Sequence, residues 1–139
     1  MTDRAVLVDI DGTLALRTVS RSPFDWSRVG EDEPNPPVIE LVQLVHRAGL
    51  HKLILMSGRD EVCRRQTEIW LDAQAVPFDE LHMRAAGDNR KDFIVKKELY
   101  RRHVKPRFEV AFVLDDRQQV VRMWRGLGLP VFQVAEGNF

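Results

Sequence analysis

The sequence predicts an α/β fold, a three-layer sandwich in which helices cover both faces of a central parallel sheet, and three observations carry that expectation. Short apolar runs bounded by turn residues alternate with stretches of helical spacing along the 139 residues. Hydrophobic residues make up 44% and charged residues 30% of the chain, the balance of an ordinary globular protein able to bury a core. Three of the apolar runs are followed at once by acids, a hydroxyl or arginines, as expected where ligands sit beyond the carboxyl ends of parallel strands.

In chain order, the first strand is expected over residues 5–9, an aliphatic run closed by Asp9. Residues 14–35 hold Arg17, Arg21, Phe24, Trp26 and Arg28 with two prolines and no sustained period, so they are expected as a small flap. A helix over 37–48 opens on a proline, and a strand follows over 52–56. The next helix, 60–73, opens on the acidic cap Asp60. A strand over 81–83 leads to a helix over 92–103, and a strand over 110–114 to a helix over 117–127 that ends at Gly128. A last strand is expected over 131–134. Without repeats, low-complexity tracts or linkers, residues 1–139 are expected to form one domain.

Composition removes several function classes. Lys plus Arg and Asp plus Glu both number 21, so bulk charge gives no reason to expect a polyanion, and any nucleic-acid site has to be local. The single Cys63 excludes an intrachain disulfide. With no apolar run long enough for a membrane span and no leader pattern, no membrane partner and a cytoplasmic location are expected. His46, His51, His82 and His103 lack zinc-site spacing, and Gly126-Leu127-Gly128 ends a helix where a dinucleotide loop would open one. The arginines at 64, 65, 101 and 102 are expected on solvated helix faces.

The chemistry concentrates at the strand ends: Asp9-Ile10-Asp11-Gly12-Thr13, Ser57-Gly58-Arg59 and Asp115-Asp116-Arg117. Four carboxylates, Asp9, Asp11, Asp115 and Asp116, would repel one another unless a hard cation bound them, and Mg2+ is the natural occupant. A carboxylate beside such a metal can attack phosphorus and form an aspartyl-phosphate. In that scheme Asp9 is the nucleophile, and Asp11, with a pKa raised by neighbouring charge, moves the protons. Ser57 and a lysine, Lys96 first and Lys91 in reserve, would hold phosphoryl oxygens. Each motif alone has an ordinary explanation as a turn, a loop or a helix cap, but three in order at three strand ends would require coincidence.

Asp9-Ile10-Asp11-Gly12-Thr13, Ser57, Lys96 and Asp115-Asp116 resemble the four motifs of the haloacid dehalogenase phosphatases. That resemblance implies a Rossmann-like three-layer sandwich with a minimal cap. Arg21-Ser22-Pro23-Phe24-Asp25, Ser57-Gly58-Arg59, residues 87–92, residues 115–125 and residues 132–139 further resemble the phosphatase half of bacteriophage polynucleotide kinase-phosphatases. The closer resemblance implies removal of 3′-phosphates from DNA or RNA ends, with Thr13, Arg21, Arg59, Arg84, Asp92 and Arg117 as substrate-binding residues. No phosphate-binding Gly-x-x-x-x-Gly-Lys-Ser/Thr loop is present, so a kinase or ligase would have to be a separate partner. With only about twenty residues after the first motif, the site is expected to be open, with Arg21 and Arg28 available to phosphates and Phe24 and Trp26 to bases. Two alternatives stay open: a nucleotidase or small-molecule phosphomonoesterase, and an inactive module that binds nucleic-acid ends.

Overall fold

Ala5, Val6, Leu7 and Val8 are all fully buried, which a strand achieves only at the centre of a sheet covered on both faces. The computed structural model describes residues 2–17 and 21–139. Its first elements are β1 (Asp3–Val8), the short β2 (Ala15–Leu16) and β3 (Glu33–Pro34), and helix α1 (Pro36–Ala48). There follow β4 (Lys52–Asp60), α2 (Arg64–Ala73), β5 (Glu80–Arg84), α3 (Asp92–Leu99), β6 (Phe108–Asp115), α4 (Gln118–Gly126) and β7 (Val131–Gln133).

The main sheet has the order β5-β4-β1-β6-β7 and is parallel at every pairing. Its two faces divide β1 by alternation. Val6 and Val8 join Leu53 and Leu55 against Val38, Val42, Trp70 and Leu71 from α1 and α2, whereas Ala5 and Leu7 join Ile54 and Met56 against Val120, Val121 and Trp124 from α4. This period of two is what turns a continuous apolar run into two separate cores. Truncating Leu7 to alanine would cost about 2–5 kcal/mol.

The chain winds outward from β1 through β4 to β5, then returns to β6 on the other side of β1. That reversal sets the ends of β1, β4 and β6 around one crevice, where ligands of open parallel sheets bind.

Most boundaries shift by one or two residues, and three elements depart further from the sequence expectation. β4 continues past Met56 to Asp60, with a register shift against β5 between Ser57 and Asp60. Ser57-Gly58-Arg59 is therefore an irregular strand end, which re-aims its side chains as bulges do. A 3-10 turn, Glu61–Cys63, precedes α2, and the Asp60 carboxylate caps it by accepting from the Val62 N–H at 2.8 Å. Past Leu99, α3 widens into a π turn, Tyr100–Val104, closed by the Lys105 N–H on the Tyr100 carbonyl at 2.9 Å.

The expected flap takes the form of β2 paired antiparallel with β3, with a 3-10 turn over Trp26–Glu31 between them. Residues 18–20 of that flap lie outside the described residues. Trp26 packs against the core, whereas Phe24 is 82% exposed. Among the described residues, no helix is long and apolar enough to cross a membrane.

Candidate active site

Beyond Val8 the chain turns sharply: the Thr13, Leu14 and Ala15 N–H groups all converge on the Ile10 carbonyl at 2.9–3.1 Å. Gly12 sits in that turn with a φ of +84°, and a Cβ there would lie 2.1 Å from Asp116 Oδ2. Both the positive φ and the close approach require glycine. The turn brings the end of β1 against the end of β6.

Asp9, Asp115 and Asp116 are buried and offer carboxylate oxygens that all lie within 4.8 Å of one another. Lys96, also buried, reaches from α3 to donate to Asp9 Oδ1 at 2.6 Å and Asp115 Oδ2 at 3.2 Å. The Thr13 hydroxyl donates to Asp9 at 3.1 Å and lies 3.3 Å from Asp116. Asp115 takes three further donors, the Asp116 N–H at 2.8 Å, the Arg117 N–H at 3.3 Å and the Trp124 indole N–H at 3.2 Å.

Burial, followed by the neighbouring Asp115 charge, holds the Asp9 carboxyl well above the usual carboxylate range, with Lys96 only partly opposing it. Burial raises Asp116 as well. Burial would push the Lys96 ammonium down, but Asp115 and Asp9 outweigh it and hold it well above its ordinary range. Three carboxylates thus share one ammonium. That surplus of negative charge, on hard oxygen donors gathered at one point, fits a divalent cation of the magnesium type.

Asp11 is turned the other way. Expected among the metal ligands, its carboxylate is instead engaged by Arg59, which donates from Nε at 3.0 Å and from a terminal nitrogen at 2.8 Å. The same guanidinium donates to Thr67 Oγ1 at 3.0 Å and Asp32 Oδ2 at 3.0 Å. Arg21 holds Asp32 from the other side through two contacts of 2.9 Å and stands 3.8 Å from Asp11. Two arginines therefore face two carboxylates, and the charges balance.

Arg21 and Arg59, expected to contact substrate, are buried and committed to these acids, while the Asp11 side chain is 40% exposed. Asp32 neutralises both arginines from the flap, and a lone acid in a charged stretch gives no sequence signal of burial.

The remaining expected residues form the rim. Ser57 is buried at the end of β4, and its Oγ accepts from the Arg59 N–H at 3.1 Å. Arg84 donates to the Gly58 carbonyl at 2.8 Å, to the Asp88 carbonyl at 3.0 Å and to Asp92 at 3.4 Å, so it braces the loop before α3. Asp92 lies 3.7 Å from Arg117 and 3.9 Å from Lys96. Lys91, the reserve lysine, is exposed at the start of α3. Arg28 pairs with Glu31 at 2.7 Å. Sequence reasoning missed Asp32, Thr67 and Trp124; the indole looked like ordinary helix packing, because only the tertiary fold sets it beside Asp115.

The family model for the polynucleotide kinase PNKP phosphatase domain matches residues 3–139. A protein of Autographa californica nuclear polyhedrosis virus, named as a bifunctional polynucleotide kinase/RNA ligase, is 39% identical over 137 residues, 94% of this chain and 19% of the viral protein. A chain in a solved Pnkp1/Rnl/Hen1 complex superposes with a TM-score of 0.94 at 42% identity, over 99% of this chain and 48% of the other. A chain in a Pnkp1/Rnl/Hen1 RNA repair complex gives the same score and identity over 44% of its length. A protein of unknown function from Bordetella pertussis Tohama I, 11% identical with a TM-score of 0.50, shares the fold alone. The chain spans about a fifth of the viral relative and under half of the two repair-complex chains.

Proposed function

The chain belongs to the family of polynucleotide kinase PNKP phosphatase domains, and from that premise we propose that it removes 3′-terminal phosphates from DNA or RNA ends in a magnesium-dependent reaction. The observation that carries the proposal is the buried nest in which Asp9, Asp115 and Asp116 face the Lys96 ammonium at the switch point of the sheet. Asp9, Asp115 and Asp116 would hold the cation, which would offset their charge and draw charge from a phosphoryl group.

Asp9 then has the position of the nucleophile. Lys96 at 2.6 Å and Thr13 at 3.1 Å fix its two oxygens, so little reorientation is needed before attack on phosphorus. Attack forms an Asp9 aspartyl-phosphate and releases the 3′ oxygen of the nucleic acid. Asp11, exposed and oriented by Arg59, takes up a proton from solvent and passes it to this oxygen. In the second step it accepts a proton from water as water displaces Asp9 from phosphorus. Lys96 and Ser57 hold the phosphoryl oxygens whose charge grows on the way.

A nucleic-acid end is favoured because little covers the crevice. Among the described residues, only β2, β3 and the Trp26–Glu31 turn intervene between β1 and α1, and only the Glu61–Cys63 turn between β4 and α2. A bulky substrate can therefore enter, and the exposed Phe24 ring supplies a surface on which a base can stack. The related chains in Pnkp1/Rnl/Hen1 complexes and the viral kinase/ligase favour a setting of end repair beside a kinase or ligase.

Phosphate release should be measured from matched 3′-phosphorylated DNA and RNA oligonucleotides and from a 3′-mononucleotide, with magnesium and with chelator. Metal-dependent preference for the oligonucleotides is expected. Equal or better turnover of the mononucleotide would favour a general nucleotidase.

A further inference from the structure

The loop that carries Asp115 and Asp116 is held from outside by the end of β7 and the segment that follows it. The Val134 N–H donates to the Asp115 carbonyl at 3.0 Å, and the Gln133 side-chain amide donates to the Asp116 carbonyl at 3.1 Å. The Gln118 N–H donates to the Gly137 carbonyl at 2.8 Å. Arg117 donates from Nε to the Phe139 carbonyl at 2.9 Å, and its guanidinium lies 5.0 Å from the centre of the Phe139 ring. Each residue from 115 to 118 is therefore tied to residues 133–139.

Gly137 is the tightest point of this contact. It is buried, and a Cβ there would lie 2.4 Å from the Asp116 carbonyl oxygen and 2.9 Å from the Arg117 Cα. Both neighbours are backbone, so a side chain could be accommodated only by moving the loop itself. Inside the nest, Asp116 is fixed to the Gly12 turn with equally little room, since the Gly12 Cβ position falls 2.1 Å from Asp116 Oδ2. A displacement at Gly137 cannot be absorbed on that side.

We propose that Gly137, with Gln133 and Phe139, is a positioning residue: the segment after β7 clamps the Asp115–Arg117 loop and thereby sets the affinity of the acidic nest for its divalent cation. The proposal rests on the assignment of Asp9, Asp115 and Asp116 as the cation's ligands. It is independent of which phosphoester is the substrate. Residues that orient ligands typically change metal affinity by 10- to 100-fold when altered.

The test is calorimetric titration of Mg2+ into the whole chain without substrate, for the natural sequence, Gly137→Ala, Phe139→Ala and Glu136→Ala, with melting temperatures taken in chelator. Gly137→Ala should weaken Mg2+ binding by at least about tenfold, Phe139→Ala by less, and the exposed Glu136→Ala not at all. Turnover of Gly137→Ala should recover as Mg2+ is raised, measured well below its melting temperature in chelator so that the recovery cannot come from refolding. Should Gly137→Ala fold poorly, the smaller loss of Mg2+ affinity in Phe139→Ala carries the test. Unchanged Mg2+ affinity in both Gly137→Ala and Phe139→Ala would overturn the clamp. No Mg2+ binding by the natural sequence would instead overturn the assignment of the three acids as ligands.

Discussion

Asp9 and Asp11 are two residues apart on one turn, yet their carboxylates lie in opposite electrostatic settings. Asp9 shares a buried nest with Asp115, Asp116 and a single lysine. Asp11 belongs to a group of two acids and two arginines whose charges cancel. An unbalanced buried cluster is unstable without a counter-ion, and a balanced one is complete as it stands. Under the proposed mechanism the difference separates the residues that would hold a metal and a phosphoryl group from those that would orient a proton carrier and fasten the flap.

Substitutions on the unbalanced side should stop the chemistry. Asp9→Asn keeps the size of the side chain and removes the nucleophile, so turnover should fall by at least about a thousandfold, read as phosphate release under saturating substrate. Lys96→Met should lower kcat by about 10²–10³-fold, because the cation that fixes Asp9 and offsets phosphoryl charge is lost. Near-native turnover in either variant would remove the distinction between the two halves.

On the balanced side the first effect should be on the fold. Arg59→Ala leaves Asp11 and Asp32 facing Arg21 alone and should destabilise the protein by about 3–5 kcal/mol, measured by denaturant unfolding. A loss in KM alone, with stability unchanged, would return Arg59 to the role of substrate ligand. Phe24→Ala lies outside both halves. It should raise KM for an oligonucleotide by an amount equivalent to about 1–3 kcal/mol, leaving kcat and melting temperature nearly unchanged.

The smallest expected effect is a pH dependence confined to the unbalanced side. Asp9 and Asp116 have raised values in the fold, so their contribution to stability is fully present below the ordinary 3.8 and is lost as pH rises through the raised values. Lys96 is raised above its ordinary 10.5, so its contribution persists throughout the neutral range and is lost only above that value. Mg2+ held by these acids would displace protons from Asp9 and Asp116, so the gain in melting temperature on adding it should increase as pH rises above the ordinary carboxylate range. Screening of Mg2+ against chelator at several pH values reads this directly.

The strands and helices were legible because the alternation of apolar runs and helical stretches is local, and β1 shows as an aliphatic run closed by an acid. Asp9, Lys96, Asp115 and Asp116 were legible as motifs at or near element ends, and the structure brings them together. What sequence could not give was pairing. That Asp11 turns to Arg59 goes with a register shift in β4, and that Arg21 and Arg59 are buried depends on Asp32, which lies 11 residues from the one and 27 from the other. Trp124 looked like core, and it is, but its N–H also donates to Asp115. Long-range hydrogen bonds leave no periodic trace.

The most direct test of Asp9 as the nucleophile is to capture the covalent intermediate. A 3′-radiophosphorylated oligonucleotide would be mixed with the protein and Mg2+, quenched in acid within the first turnover, and the labelled peptide identified by its release with hydroxylamine and by mass spectrometry. Label on the peptide containing Asp9, absent with chelator and absent in Asp9→Asn, is the predicted result. Rapid phosphate release with no protein-bound label, persisting in Asp9→Asn, would contradict it.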